Sequence, residues 1–277
     1  MATVRHLALV SDSARVKIGD LVPVAAALQV QVIRDFAPPW RRPATVTSYA
    51  NLVDVPATHW PMIVRDDIPY KAQGIHLDNN GEPFSLVLYS DGWSLTTSHE
   101  CLEMLADPLG KRVRKGPSIK PGQGDARYLV EVCDPCEADQ FAYQVDGVTV
   151  SDFYLPAYFD AVAGAGTRYS YTGSITTPRQ VLEGGYLSWQ DVATGHWWQQ
   201  THFGPQPSFR DLGVFSRGTN PRRATDGPTE IPEDVMKARQ PLVAAGAAAA
   251  EDNGAAYRRE RRSYLRGRVE EIVAAAS

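Results

Sequence analysis

Residues 94–107 read SLTTSHECLEMLAD. Leu95, Leu102 and Leu105 recur at helical spacing and share an apolar face. Ser94, Thr96, Thr97 and Ser98 offer side-chain oxygens that could cap the start. Pro108 disfavours helical geometry at Asp107, so the pattern predicts a helix ending near Ala106. His99 and Glu103 lie four apart. Residues at that spacing are neighbours on a helix, about 6 Å apart, and could chelate one ion. Glu100 follows His99 directly and sits about 100° round the helix from it. The competing reading makes Glu100 and Glu103 solvated helix charges and His99 a satisfied polar residue.

The arrangement is one residue away from His-Glu-x-x-His, in which two imidazoles hold zinc and the intervening Glu is the general base. Here Glu103 stands at the second ligand position. Zinc accepts His nitrogen and carboxylate oxygen, but a site of one His and two carboxylates is harder and suits Mn, Fe or Ca as well. The third ligand is open. Asp107 is eight residues past His99, ~12 Å along a straight helix, and reaches the ion only if the chain turns back at Pro108. Otherwise it caps the next loop. Glu131, 28 residues beyond Glu103, stands equal with it as a candidate. Asp134 comes next, then Glu137. Two tyrosines, Tyr154 and Tyr158, follow a strand-like stretch and are candidates for steadying an oxyanion, against plain aromatic packing.

Outward from the helix, the upstream chain reads strand (5–10), helix from Leu21 to Phe36 stopped before Pro38-Pro39, strand (44–49), strand (60–65), and a hairpin turning at Asn80-Gly81. His76 lies on that hairpin, either facing a cleft or packed in the core, the second being the commoner outcome. Downstream come a Lys/Gly/Pro loop (110–124), strands at 127–133 and 147–154, and an aromatic-rich stretch with a further strand at 184–189. Residues 217–234 are rich in Pro, Gly, Arg and Thr and read as a linker. Beyond them lie Ala-rich helical segments, the last carrying six arginines between 255 and 275. The expected organisation is one α+β domain over 1–216, a linker over 217–234, and a helical docking or assembly tail over 235–277. The domain pairs a mixed sheet and central helix with a β-rich second half.

The chain has 277 residues, 43% of them hydrophobic, with six Trp, enough for a substantial core. A net charge of −4 gives no bulk reason to expect nucleic acid or an anionic membrane as partner. No apolar run is long enough for a membrane span, and the N-terminus has too short an apolar stretch for a signal peptide. A cytoplasmic protein is expected. Cys101, Cys133 and Cys136 do not make a disulfide framework. Cys133-Asp134-Pro135-Cys136 reads first as a turn, then as a redox pair, and last as half a zinc site.

The strings WSLTTSHECLEMLADP, YLVEVCDP and GVTVSDFYLPAYFD, within residues 40–200, resemble a bacterial and phage-associated group of zincin-type, metallopeptidase-like proteins. The resemblance implies a zincin-like fold and a Zn2+ or other divalent site around His99 and Glu103, with Glu100 as base. Two functions are expected from it. One is a metal-dependent, peptidase-like hydrolase acting on a peptide or protein. The other is a non-catalytic component of a phage or phage-like particle on the same scaffold, joined to a protein partner or oligomer through the C-terminal tail. A third reading, from the cysteines alone, is redox regulation through Cys133 and Cys136.

Overall fold

The computed structural model describes residues 4–227. The proposed tail at 235–277 and the end of the proposed linker lie outside them. The architecture is mixed α+β, with two five-stranded sheets, a small hairpin and few helices among these residues.

The first sheet is built around β1 (Arg5–Ser11). Its residues Leu7–Val10 are all fully buried, as expected of a strand covered on both faces. Helix α1 (Ile18–Val30) covers one face with Leu21, Val24, Ala25 and Leu28. It does not stop at the prolines. A π-helical turn over Gln31–Phe36 leads into a short helix α2 (Ala37–Trp40). Pro38 and Pro39 occupy its first turn, where a missing N–H costs no hydrogen bond.

Strands β2 (Ala44–Ser48), β3 (Trp60–Arg65), β4 (Gly74–Asn79) and β5 (Glu82–Leu88) complete the sheet in the order β2-β1-β3-β5-β4. All neighbours are parallel except β4, which runs antiparallel to β5 at the edge. The β4–β5 turn uses Asn80 and Gly81, both at positive φ, as the Asn-Gly signal required.

Helix α3 (Trp93–Ala106) packs on β4 and β5. Its N-cap is Gly92, not one of the hydroxyl residues. Thr97 instead donates to its own helix at Trp93 O, and Ser98 donates to Gln31. After α3 come the strands of an antiparallel sheet, starting with β6 (Val113–Pro117) and β7 (Asp125–Leu129). A hairpin of β8 (Tyr143–Val145) and β9 (Val148–Val150) intervenes. The sheet is completed by β10 (Tyr186–Asp191), β11 (Trp197–Thr201) and β12 (Ser208–Gly213), in the order β12-β11-β10-β7-β6. One cluster of buried apolar side chains runs through both sheets, from Leu7 to Trp189.

The segment read as linker begins differently from that reading. Residues Pro221–Asp226 form a helix, α4, with Arg222 and Thr225 buried. Asn220 caps it, accepting from Arg223 N–H, and its side-chain amide donates to Leu109 O. Gly110 makes the seat possible. It sits at φ +62°, and a Cβ there would lie 2.8 Å from Cβ of Arg222. No helix among the described residues is long and apolar enough to cross a membrane.

Candidate functional site

The expected pair on α3 is formed. His99 Nε2 lies 3.3 Å from Glu103 Oε2, one turn on. The segment following β7 brings two more carboxylates to the same place. Asp134, on a 3-10 turn over Asp134–Cys136, puts Oδ1 3.2 Å from His99 Nε2. Glu131 is buried beside them, and ligand atoms of Glu103, Glu131 and Asp134 lie within 4.8 Å of one another. The backbone holds Glu103 in place, since Cys133 N–H donates to its Oε1 at 3.1 Å. Its other oxygen, Oε2, has no hydrogen-bond partner.

From the other side, edge strand β4 contributes His76. Its Nε2 lies 3.1 Å from Asp107 O and therefore carries the proton donated to that carbonyl. Nδ1 faces Glu100 Oε2 at 3.5 Å and Glu103 Oε2 at 3.7 Å. Burial, and next the charge of Arg222, hold this imidazole below its ordinary value, so it stays neutral. A neutral His76 with Nε2 protonated points a lone pair at two carboxylates, an arrangement that calls for a cation. Glu100 fits against β4 because residue 74 is glycine. A Cβ there would meet Glu100 Oε1 at 2.6 Å.

Helix α4 supplies a cation. Arg222 places Nη2 3.6 Å from Oε2 of both Glu100 and Glu103, and Nε 3.3 Å from Glu131 and 3.2 Å from Asp226. Its Nη1 also donates to His76 O. The balance still favours acid. Burial pushes Glu131 and Asp134 well above the usual carboxylate range, with Glu103 nearby adding to the rise in each. Burial likewise moves Asp226 to about 7, against the pull of Arg222. Glu103 goes the other way. Burial opposes its charge, but His99 and next Arg222 hold it well below the ordinary value. Burial would lower His99 too, yet Glu103 and Asp134 keep it well above its ordinary value.

A cavity of about 130 Å³ opens onto this cluster. Its walls include His99 and Glu100, Gly74 and Ile75 of β4, Tyr186, and Arg222 with Asp226. Glu103 and Glu131 lie behind the wall, buried. Among the described residues three groups could hold a metal ion, each with ligand atoms within 4.8 Å of one another: His76, Glu100 and Glu103; His99, Asp134 and Glu137; and Glu103, Glu131 and Asp134, so that Glu103 and Asp134 are each common to two. No protein-family model matches this chain, and no curated protein or solved structure does either. The site rests on its own geometry.

His99, Glu100, Glu103, Glu131 and Asp134 are all brought together. Asp107 is not. Its Oδ2 accepts from Arg112 N–H at 2.6 Å, so it caps the following loop as the alternative reading held. Tyr158 also points elsewhere, donating to Gln180 O. Tyr154 is buried, stacked on Tyr158 at 4.2 Å, with its hydroxyl unpaired, and does not line the cavity. The phenols that do are Tyr70 and Tyr186. Cys133 and Cys136 are free and buried, and burial pushes both thiols well up, which suits a turn rather than a redox pair.

Arg222 and Asp226 are absent from the candidates the sequence offers, and His76 stands there only as a residue facing a cleft or packed in the core. For His76 a signal existed. Gly74 and His76 share one face of a strand ahead of the helix, and period-two alternation turns both towards α3. For Arg222 and Asp226 there was none beyond an i,i+4 pair in a Pro/Gly-rich stretch.

Proposed function

We propose that this protein is a divalent-metal-dependent hydrolase of the zincin type that acts on peptides, with His99, Glu103 and Asp134 as the metal ligands. One observation carries the reading. His99 Nε2 lies 3.3 Å and 3.2 Å from the carboxylate oxygens of Glu103 and Asp134. Ligands about 2.0–2.1 Å from a tetrahedral ion are roughly 3.3–3.4 Å apart. The unbonded Oε2 of Glu103 then has a use. With one His and two carboxylates, the donor set takes Mn or Fe as readily as Zn.

A bound ion would supply Lewis acidity and ease deprotonation of water. The other roles belong to the chain. Glu100 reaches the cavity and carries an unpaired Oε2, so it is the group placed to take the proton of the attacking water. Cys133 N–H and the α3 backbone fix Glu103. Tyr70 and Tyr186, on the cavity wall, are the phenols available to donate to a developing oxyanion.

The test combines metal analysis with cleavage of a peptide library. Wild type should hold about one ion per chain. Glu100→Gln should keep the ion and lose roughly 10²–10⁴ in rate, the usual worth of a general base. Absence of bound metal, or equal cleavage by the two proteins, would end this reading.

A second reading has one observation in its favour. Arg222 already brings a cation to Glu100, Glu103 and Glu131. On that view the cluster is a structural ion-pair network in a non-catalytic component of a phage-like assembly. Any metal bound by such a protein would be structural.

A further inference from the structure

Helix α4 engages the site in two ways at once. Arg222 drives its guanidinium between the carboxylates of Glu100, Glu103 and Glu131. The same helix also covers the free edge of β4. Arg222 donates to His76 O and Arg223 Nη2 donates to Asp78 O at 2.9 Å. Residues 76 and 78 are two apart on the edge strand, so these carbonyls point the same way, outward from the sheet. The helix is only Pro221–Asp226 long. A helix that short has little stability of its own and depends on its seat. That seat consists of Asn220 on Leu109 O, Arg222 N–H on Gly110 O, and the charge contacts.

We infer that α4 is a self-docked cover, and that Arg222 and a divalent ion at His99, Glu103 and Asp134 compete for the same negative charge. This rests on the metal reading above. Arg222 Nη2 lies 3.6 Å from Glu103 Oε2, the oxygen that also faces His99. A divalent ion bound to that oxygen would stand a few ångströms from a buried guanidinium. A guanidinium keeps its proton at any ordinary pH, so Arg222 does not relieve the repulsion by becoming neutral. The relief left is movement. Metal binding weakens the seat of α4, and the seated α4 weakens metal binding by the same factor, because coupling between two sites is reciprocal. Release of α4 removes one wall of the cavity and uncovers the edge of β4.

The experiment uses the full chain with Zn2+ as probe. Zn2+ affinity is measured by calorimetry for wild type, Arg222→Met and Asn220→Ala. Hydrogen exchange across residues 217–227 is followed with and without Zn2+. Arg222→Met should bind roughly tenfold tighter or more. Asn220→Ala, which loosens the seat without touching the carboxylates, should shift the same way by less. Exchange in 217–227 of the wild type should quicken on adding Zn2+. Equal affinity in all three proteins, or unchanged exchange, overturns the cover and leaves the metal site standing. No Zn2+ binding by any of them overturns both. If Arg222→Met fails to fold, Asn220→Ala and the wild-type exchange decide the matter.

Discussion

Two kinds of buried carboxylate sit in this protein, and they are finished to different degrees. Asp152 is fully buried and fully used. Thr172 N–H donates to its Oδ1 at 3.0 Å, while the hydroxyls of Thr172 and Ser174 donate to Oδ2 at 2.6 and 2.7 Å. Asp35 is treated alike, receiving Tyr143 and Tyr171 hydroxyls at 2.9 and 2.7 Å and both arms of Arg34. Around Glu103 the accounting stops short. Glu103 Oε2, Glu100 Oε2 and both oxygens of Glu131 have no hydrogen-bond donor, and His76 Nδ1 is unpaired among them. Buried polar atoms are nearly always satisfied, because an unpaired one costs about 1–3 kcal/mol. The contrast teaches that burial of acid is not itself the sign of a site. Unspent lone pairs converging on one point are.

That contrast can be broken in several ways. Glu103→Gln should give the largest effect, lowering metal affinity by more than about 100-fold, beyond the range seen when only a supporting residue is lost. A calorimetric titration showing wild-type affinity would remove Glu103 from the ligand set. Asp152→Ala should act on stability instead. It strands two hydroxyls and an amide, at a cost of roughly 2–3 kcal/mol in denaturant unfolding. Metal affinity should be untouched, and a matched fall in both would erase the distinction between the two centres.

The smallest expected effect is on pH. Asp226 titrates at about 7 in the folded chain against an ordinary 3.8. Between those values the folded state holds a proton that the unfolded chain releases, so this contribution to stability is lost as pH rises through the window. His99, Glu131 and Asp134, all held above their ordinary values, act in the same direction and outnumber His76, which is held below its own and opposes them. Melting temperature without metal should therefore fall from pH 5 to pH 8, and Asp226→Asn should flatten part of that fall. A melting temperature that rises over this range would contradict the charge balance described for the cluster.

Much of the site was legible on α3. The His99–Glu103 spacing needed only the helical period, and Pro108 marked the end of the helix within one residue. The hairpin was legible too, because positive φ at two successive residues leaves few choices besides Asn-Gly. The sequence spacing puts Glu131 ahead of Asp134, but Asp134 is the one that reaches His99, because their arrival depends on how β7 pairs in a second sheet. Asp107 caps the loop through a backbone amide five residues on, at Arg112, a partner that sequence spacing does not disclose.

What the chain determined by itself was local. Period, turn chemistry and proline position placed the helix, the hairpin and the facing pair, because each depends on residues a few positions apart. What only the tertiary structure decided was the company that pair keeps. His76 comes from the sheet edge, Asp134 from a turn in a later segment, and Arg222 from over one hundred residues beyond α3. Nothing in local propensity encodes those meetings. They follow from which strands pair and which faces must be buried, and they turn a common helical His-x-x-x-Glu spacing into a converging acidic centre.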